Sequence, residues 1–305
     1  MADQPVLCVD LDGSLIRTDL LHESTLLLAK QHPLALLALP GWLAQGKAAM
    51  KSRIAERVAP DPALLPYRED LLTWLREQRA QGRKLVLCTA SDQRYARAVA
   101  DHLQLFDEVI ASDGATNLSS HRKESALVER YGVRGYDYVG NARADLAVWR
   151  SARHAIVVGG ASLQAAAAAQ TTVERSFPPE SAGARAWLKG LRLHQWLKNV
   201  LLFLPLLGAH RWYDAHAWLA VLTAFFAFGL CASAVYVIND LFDLESDRQH
   251  PRKRLRAFAS GALSIPTGLI VGGVLFVLAF ELATQVSLGF VLWLGAYVVL
   301  TKSYT

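Results

Sequence analysis

From Ala217 to Ile238 the chain carries no charged side chain. An apolar helix of about 20 residues at 1.5 Å rise per residue matches the hydrocarbon thickness of a bilayer, so this run reads as a membrane span. Directly after it comes the stretch Asn239 to Gly261, NDLFDLESDRQHPRKRLRAFASG. At about 100° per residue, Asp240, Asp243 and Asp247 share an arc of roughly 60° on one helix face, with Glu245 elsewhere. Like charges so spaced repel unless a cation lies between them. Hard oxygen ligands suit Mg²⁺, which bridges to phosphates. Arg248, Arg252, Lys253, Arg254 and Arg256 then bring the positive charge that a diphosphate needs. The plainer alternative is a charged cytoplasmic loop that follows topology rules.

A length of 305 residues suggests about two domains, and a mixed first half against an apolar second half makes them different in kind. The net charge is +5. Basic residues cluster from Arg185 to Lys198 and from Arg248 to Arg256, which points to a membrane surface and anionic substrates. No nucleic-acid signature is present, so no nucleic-acid partner is expected. Cys8, Cys88 and Cys231 are odd in number and sit in apolar runs, and they read as buried reduced thiols. The start MADQPVLCVD has neither a basic flank nor a cleavable apolar segment, so the first half is expected in the cytoplasm.

That half alternates short apolar runs with helical segments. The runs are Pro5 to Leu15, Lys84 to Ser91, Asp107 to Asp113, Tyr136 to Gly140 and His154 to Gly160; ARAVADHL and ESALVERYG are two of the helical pieces. Such alternation predicts an α/β doubly wound parallel sheet, with ligands at the edge where the strands end. Asp10 and Asp12 are two apart at one strand exit, so both face one pocket. Between Asp12 and Lys84 lies an insertion with helical periodicity, read as a helical cap over about residues 14–66, its last helix belonging to the sheet. The apolar face with Trp42 reads as core, or else as a contact for the membrane half.

Asp10, Asp12, Thr89, Lys123 and Asp145, in this order and at strand ends, resemble the four motifs of the haloacid dehalogenase (HAD) superfamily of phosphotransferases. The resemblance implies Asp10 as the nucleophile that becomes phosphorylated and Asp12 as general acid/base. It implies Thr89 on the phosphoryl group, Lys123 balancing its charge, and Mg²⁺ held by Asp10, the Asp12 carbonyl and Asp145. Asn141 stands where many members carry the first aspartate of motif four, which puts one metal ligand in question.

The motif NDxxDxxxDRxHPxKRxRxxASG, preceded by SAVYVI, resembles the first aspartate-rich motif of the UbiA superfamily of intramembrane transferases. LRLHQWLKNVLLFLPLL (Leu191 to Leu207) looks like the start of that domain in the decaprenyl-phosphate phosphoribosyltransferase branch. Ala257 and Leu193 stand where proline is usual. The resemblance implies Mg²⁺ at Asp240, Asp243 and Asp247, and substrate contacts from Lys198, Asn199, Asn239, Arg248, Lys253, Arg254 and Arg256. The expected domains are a HAD-like unit at 1–172, a linker at 173–184 and a partial, all-α transmembrane UbiA-like unit at 185–305. Arg185, Lys189 and Arg192, with Trp187 and Trp196, suggest an interfacial helix.

Apolar segments near Trp196 to Trp212, Ala217 to Ile238, Ile265 to Leu282 and Val286 to Thr301 suggest about four spans. The basic Asn239 to Ser264 loop then lies on the cytoplasmic side, giving a multi-pass inner-membrane protein with the HAD-like unit in the cytoplasm. UbiA-type domains have about twice as many helices and a second aspartate-rich motif, so the sequence reads as a C-terminally truncated piece. The implied partners are a membrane, a diphosphate donor, and a polyprenyl phosphate or prenyl diphosphate lipid. The implied function is transfer from phosphoribosyl diphosphate to a polyprenyl phosphate, coupled to a Mg²⁺-dependent phosphatase. The alternatives are a prenyltransferase acting on an aromatic acceptor, or a membrane-anchored phosphatase or silent phosphate-binding module.

Overall fold

The computed structural model describes residues 5–179, 183–210 and 213–303. It divides into Met1–Glu180 and Ser181–Thr305.

The first unit is built on a parallel sheet of order β3-β2-β1-β4-β5-β6. Its strands are β1 Val6–Val9, β2 Leu85–Asp92, β3 Glu108–Ser112, β4 Tyr136–Gly140, β5 His154–Val158 and β6 Thr172–Phe177. Alternation along the strands explains the two cores. Leu7 and Val9 of β1, with Leu85 and Leu87 of β2, pack against Leu71, Trp74 and Leu75 on one face. Cys8, Val86 and Cys88 point the other way, to Leu127, Val148 and Trp149. Both faces are therefore dry, as a parallel sheet covered by helices requires, and each buried Leu or Val contributes about 1.5–3 kcal/mol. The strand order reverses between β1 and β4, which opens a crevice beyond the strand ends.

One boundary differs from the sequence expectation. Thr172–Phe177, which overlaps the expected linker, pairs in parallel with β5 as a sixth strand. Of its side chains only Phe177 is buried, as suits an edge strand.

The cap comprises helix Leu20–Gln31, the 3-10 turn Pro33–Ala38, and helices Leu39–Ala44 and Lys47–Ala55. It has its own small core of Leu27, Leu28, Ile54 and Val58. Trp42 packs against that core, and the Arg57 guanidinium lies 4.6 Å from its ring. Helix Glu69–Ala80 then returns to the sheet through Leu71, Leu72, Trp74 and Leu75.

In the second unit, helix Ala215–Phe242 packs along helix Ile265–Val286, followed by the shorter Leu288–Ser303. The first two are long and apolar enough to cross a membrane, with mean hydropathy 2.2 and 2.1. The expected first span is different: Leu193–Phe203 winds as a 3-10 helix and Leu204–Gly208 as a short α-helix, while Trp212 lies outside the described residues. The expected interfacial helix is also short. It covers only Ala184–Gly190, and Arg192 sits beyond it at φ +51°. Close packing relies on small residues: a Cβ on Gly229 would lie 2.6 Å from the Trp196 ring.

Candidate functional sites

Five polar residues predicted from the strand ends meet at the rim of the sheet. Asp10 follows β1 directly and continues its ladder, its N–H donating to the Val139 carbonyl at 3.0 Å. Lys123, on helix His121–Tyr131, is buried and places Nζ 2.6 Å from Asp10 Oδ1 and 2.8 Å from the Tyr138 hydroxyl. Tyr138 in turn donates to Asp145 Oδ1 at 3.1 Å. Asp145 Oδ2 accepts the Asn141 and Ala142 backbone N–H groups at 3.0 and 2.9 Å. Ser14 Oγ donates to Asp10 Oδ2 at 3.1 Å.

Asp12 is held from another side. Its Oδ2 accepts Thr89 Oγ1 at 3.2 Å and Ser91 Oγ at 2.6 Å, and its Oδ1 accepts the Leu20 N–H at 2.8 Å. Gly13 turns the loop at φ +74°, and a Cβ there would collide with Asn141 Nδ2. The cap contributes Lys51, which donates to the Ala90 carbonyl at 2.6 Å and to Asn117 Oδ1 at 3.2 Å.

The electrostatics are unbalanced toward negative charge. Burial pushes the Asp10 carboxyl up to about 7; the adjacent Lys123 pulls it down, while Asp145 and Asp12 push it further up. Burial also raises Asp12, joined by the Asp19 carboxylate and opposed by the Leu20 N–H and the Ser91 hydroxyl. Burial alone would lower Lys123, yet Asp10 and Asp145 hold it above its ordinary value. Asp10 and Asp145 thus share one buried ammonium, with Asp12 as a third carboxyl at the same rim. A hard divalent cation would add positive charge there, and the oxygen donors fit one.

Ser14, Ser91 and Tyr138 were not anticipated. The signal for Ser91 was present: it lies two residues beyond Thr89 on one strand, so both hydroxyls face the same way. A separate group, Asp137, His154 and Glu174, gathers near the starts of β4 to β6 with ligand-type atoms within 4.8 Å. Arg83 already pairs with Asp137 there.

The second unit holds a cavity of about 500 Å³. Arg185, Lys189, Arg192, Arg252 and Arg256 line it together with Asp240. Arg192 Nη2 donates to Asp240 Oδ1 at 2.7 Å, and its guanidinium lies 4.6 Å from the Tyr236 ring. Arg256 Nη1 reaches Asp240 Oδ1 at 3.2 Å and the two Asp247 oxygens at 3.0 and 2.8 Å. Trp196 Nε1 donates to Ser233 Oγ at 3.0 Å, and Ser233 donates to the Leu191 carbonyl at 2.7 Å, which ties the Arg192 segment to the long helix.

The aspartate stripe is not one uninterrupted helix. The long helix closes at Phe242 with Asp243 as its cap, and Leu244–Gln249 follows. Four-residue hydrogen bonding still crosses the break, from the Asp243 N–H to the Asn239 carbonyl and from the Asp247 N–H to the Asp243 carbonyl. Asp240 and Asp247 consequently share Arg256.

Of the anticipated substrate contacts, only Arg256 lines the cavity. Arg248 donates Nε to the Ala259 carbonyl at 2.8 Å. Lys253 and Arg254 are exposed on a 3-10 turn, Asn239 is half-buried, and Lys198 is exposed. Asn199 is buried, with Nδ2 lacking a hydrogen-bond partner. Arg192, Lys189 and Arg185, read from sequence as an interfacial stripe, line the cavity instead.

A doubly wound sheet with acidic and basic groups at its rim makes the first unit an α/β domain with a charged site beyond its strand ends. The second is a helical membrane-type domain with a basic, aspartate-bearing cavity. Residues 7–150 match the model of the haloacid dehalogenase-like hydrolases, and residues 200–305 match that of the UbiA prenyltransferase family. The chain therefore carries a HAD-like domain followed by a UbiA domain, and both are families of enzymes.

The protein is 40% identical to the uncharacterized protein y4nM of Sinorhizobium fredii, over 99% of this chain and 58% of that one. It is 39% identical to the decaprenyl-phosphate phosphoribosyltransferase of Corynebacterium glutamicum, over 42% of this chain and 39% of that one. The chain thus spans little more than half the length of the first relative and less of the second. The HAD family hydrolase t0658 of Salmonella enterica aligns over 56% of this chain and 66% of its own, at 15% identity and TM-score 0.41.

Proposed function

We propose that the parent protein is a two-site membrane enzyme. Its UbiA unit transfers a phosphoribosyl group from phosphoribosyl diphosphate to a polyprenyl phosphate, and its HAD-like unit removes the 5-phosphate from the lipid-linked product. The observation that carries the transfer reading is the cavity in which five cationic side chains surround Asp240. Diphosphate is the leaving group in such a transfer: a phosphate oxygen of the lipid forms the new bond to the sugar carbon as the bond to diphosphate breaks. Arg185, Lys189, Arg192, Arg252 and Arg256 stabilise the charge that develops on the departing oxygens. Asp240, Asp243 and Asp247 would hold Mg²⁺, which supplies further charge to the diphosphate when bound.

In the HAD-like unit, Asp10 attacks phosphorus and Asp12 gives a proton to the departing alcohol oxygen. Asp12 then takes a proton from the water that cleaves the aspartyl phosphate. Thr89 and Lys123 orient and neutralise the phosphoryl oxygens. Asp10, the Asp12 carbonyl and Asp145 would hold Mg²⁺, with Asn141 beside them as a neutral group.

Labelled phosphoribosyl diphosphate and polyprenyl phosphate, supplied to membranes containing the full-length protein, test both steps. Labelled lipid that disappears with Asp240→Ala supports the transfer, whereas labelling from prenyl diphosphate alone would assign the prenyltransferase reaction. Phosphate release from that lipid should vanish with Asp10→Asn.

The amide of Asn141 over Gly13 favours a second reading for the HAD-like unit, a phosphate-binding module without turnover. Saturable phosphate binding with no release of phosphate from the lipid would select it. The positive charge of Asn239 to Ser264 supports placing both sites on the cytoplasmic side.

A further inference from the structure

In the first unit, the exposed large hydrophobic side chains among the described residues are Leu34, Leu37, Leu43 and Val133. Three of these four lie within the cap segment Pro33–Ala44. Leu34 and Leu37 are each 81% exposed and Leu43 is 49% exposed. The same segment is apolar on its inner side too, where Ala35, Leu36, Leu39 and Trp42 pack on the cap core. The cap core thus satisfies one set of leucines and leaves a second set facing outward.

The stretch of chain that carries this face has no carboxylate of its own; the next acidic residue, Glu56, pairs with Arg53 and Arg57. From Ser24 to Ala55 there is no Asp or Glu, while Lys30, Lys47, Lys51 and Arg53 are present. Lys30 and Lys47 are exposed and bracket the leucine segment, with exposed His32 beside it. Leucines flanked in sequence by lysines suit the boundary between acyl chains and anionic headgroups. The same chain carries two helices long and apolar enough to cross a membrane.

We infer that the cap seats Leu34, Leu37 and Leu43 in the interface of an anionic membrane, with Lys30 and Lys47 against the headgroups. The inference concerns the cap surface and does not depend on turnover at either site.

The native cysteines are all buried, so a thiol probe selects an introduced one. The full chain carrying Leu37→Cys, labelled with bimane, is reconstituted in vesicles of phosphatidylglycerol and phosphatidylcholine. Brominated acyl chains should quench the emission severalfold. The same label on Glu129→Cys, exposed on helix His121–Tyr131, should stay unquenched. Reversing Lys30 and Lys47 to Glu should remove most of the quenching. Water-like, unquenched emission at residue 37 would overturn the proposal, as would equal quenching at residue 129. A blue shift without quenching would show that protein, from a second copy or from this chain, covers the leucines; that too would overturn it. Quenching indifferent to the charge reversal would overturn the role given to the lysines.

Discussion

Arg192 binds Asp240 across 48 residues of chain, Nη2 to Oδ1 at 2.7 Å. The arginine reaches it from a backbone position at φ +51°, which non-glycine residues seldom adopt, so the contact is held at some local cost. It places a guanidinium in a cavity that would admit a diphosphate, beside the carboxylate that would hold its metal.

Removing this arginine should weaken donor binding. Charge-assisted hydrogen bonds contribute about 1.5–3 kcal/mol, so Arg192→Ala should raise KM for the diphosphate donor by roughly 10- to 150-fold. Arg192→Lys should restore only part of it, because an ammonium lacks the planar fork. Steady-state kinetics with the full-length protein in membranes check this; an unchanged KM would remove Arg192 from the donor site.

Lys123 is the buried counter-charge of Asp10 and Asp145. Lys123→Met should destabilise the HAD-like unit by about 3–5 kcal/mol, because a buried carboxylate loses its partner. The double variant Asp10→Asn with Lys123→Met should recover much of that loss. Chemical denaturation read from the near-ultraviolet signal of buried Trp149 measures both.

The raised carboxyl of Asp10 sets a pH dependence. Its folded value of about 7 lies above the ordinary carboxylate value, so the folded state holds a proton that the unfolded chain has released. Without metal, stability should therefore fall as pH climbs from about 4 to about 7 and then level off. Mg²⁺ competes with that proton, so its affinity should rise across the same window. Thermal melts with and without Mg²⁺ should diverge progressively as pH rises toward about 7 and keep a constant separation beyond it; curves that stay parallel throughout would argue against metal at Asp10.

Gly13 and Asn141 occupy one space. Gly13→Ala should cost about 1–3 kcal/mol, from a clash with the amide and from the positive φ. Adding Asn141→Ala should relieve the clash and leave the backbone strain, so the double variant should recover in part. Equilibrium unfolding of the three variants separates the two contributions.

Most of the rim was readable from sequence because β1 to β5 are short apolar runs that stop in polar residues. Strand β6 escaped because TVERSF has only Val173 and Phe177 as apolar residues, and of its side chains only Phe177 is buried. In the second unit, helical spacing placed Arg192 on a stripe with Arg185 and Lys189. The helix ends at Gly190, however, and a left-handed residue redirects the arginine to Asp240, a contact that local periodicity does not contain. The lone amide of Asn199 and the pairing of Asp247 with Arg256 are likewise products of distant packing.

All six strands run in one direction, so the chain leaves β6 along the edge that bears the catalytic candidates. Between β1 and β6 lie three strand spacings, about 14 Å in all. The end of β6 therefore stands on the same rim as Asp10, about half the width of the sheet away.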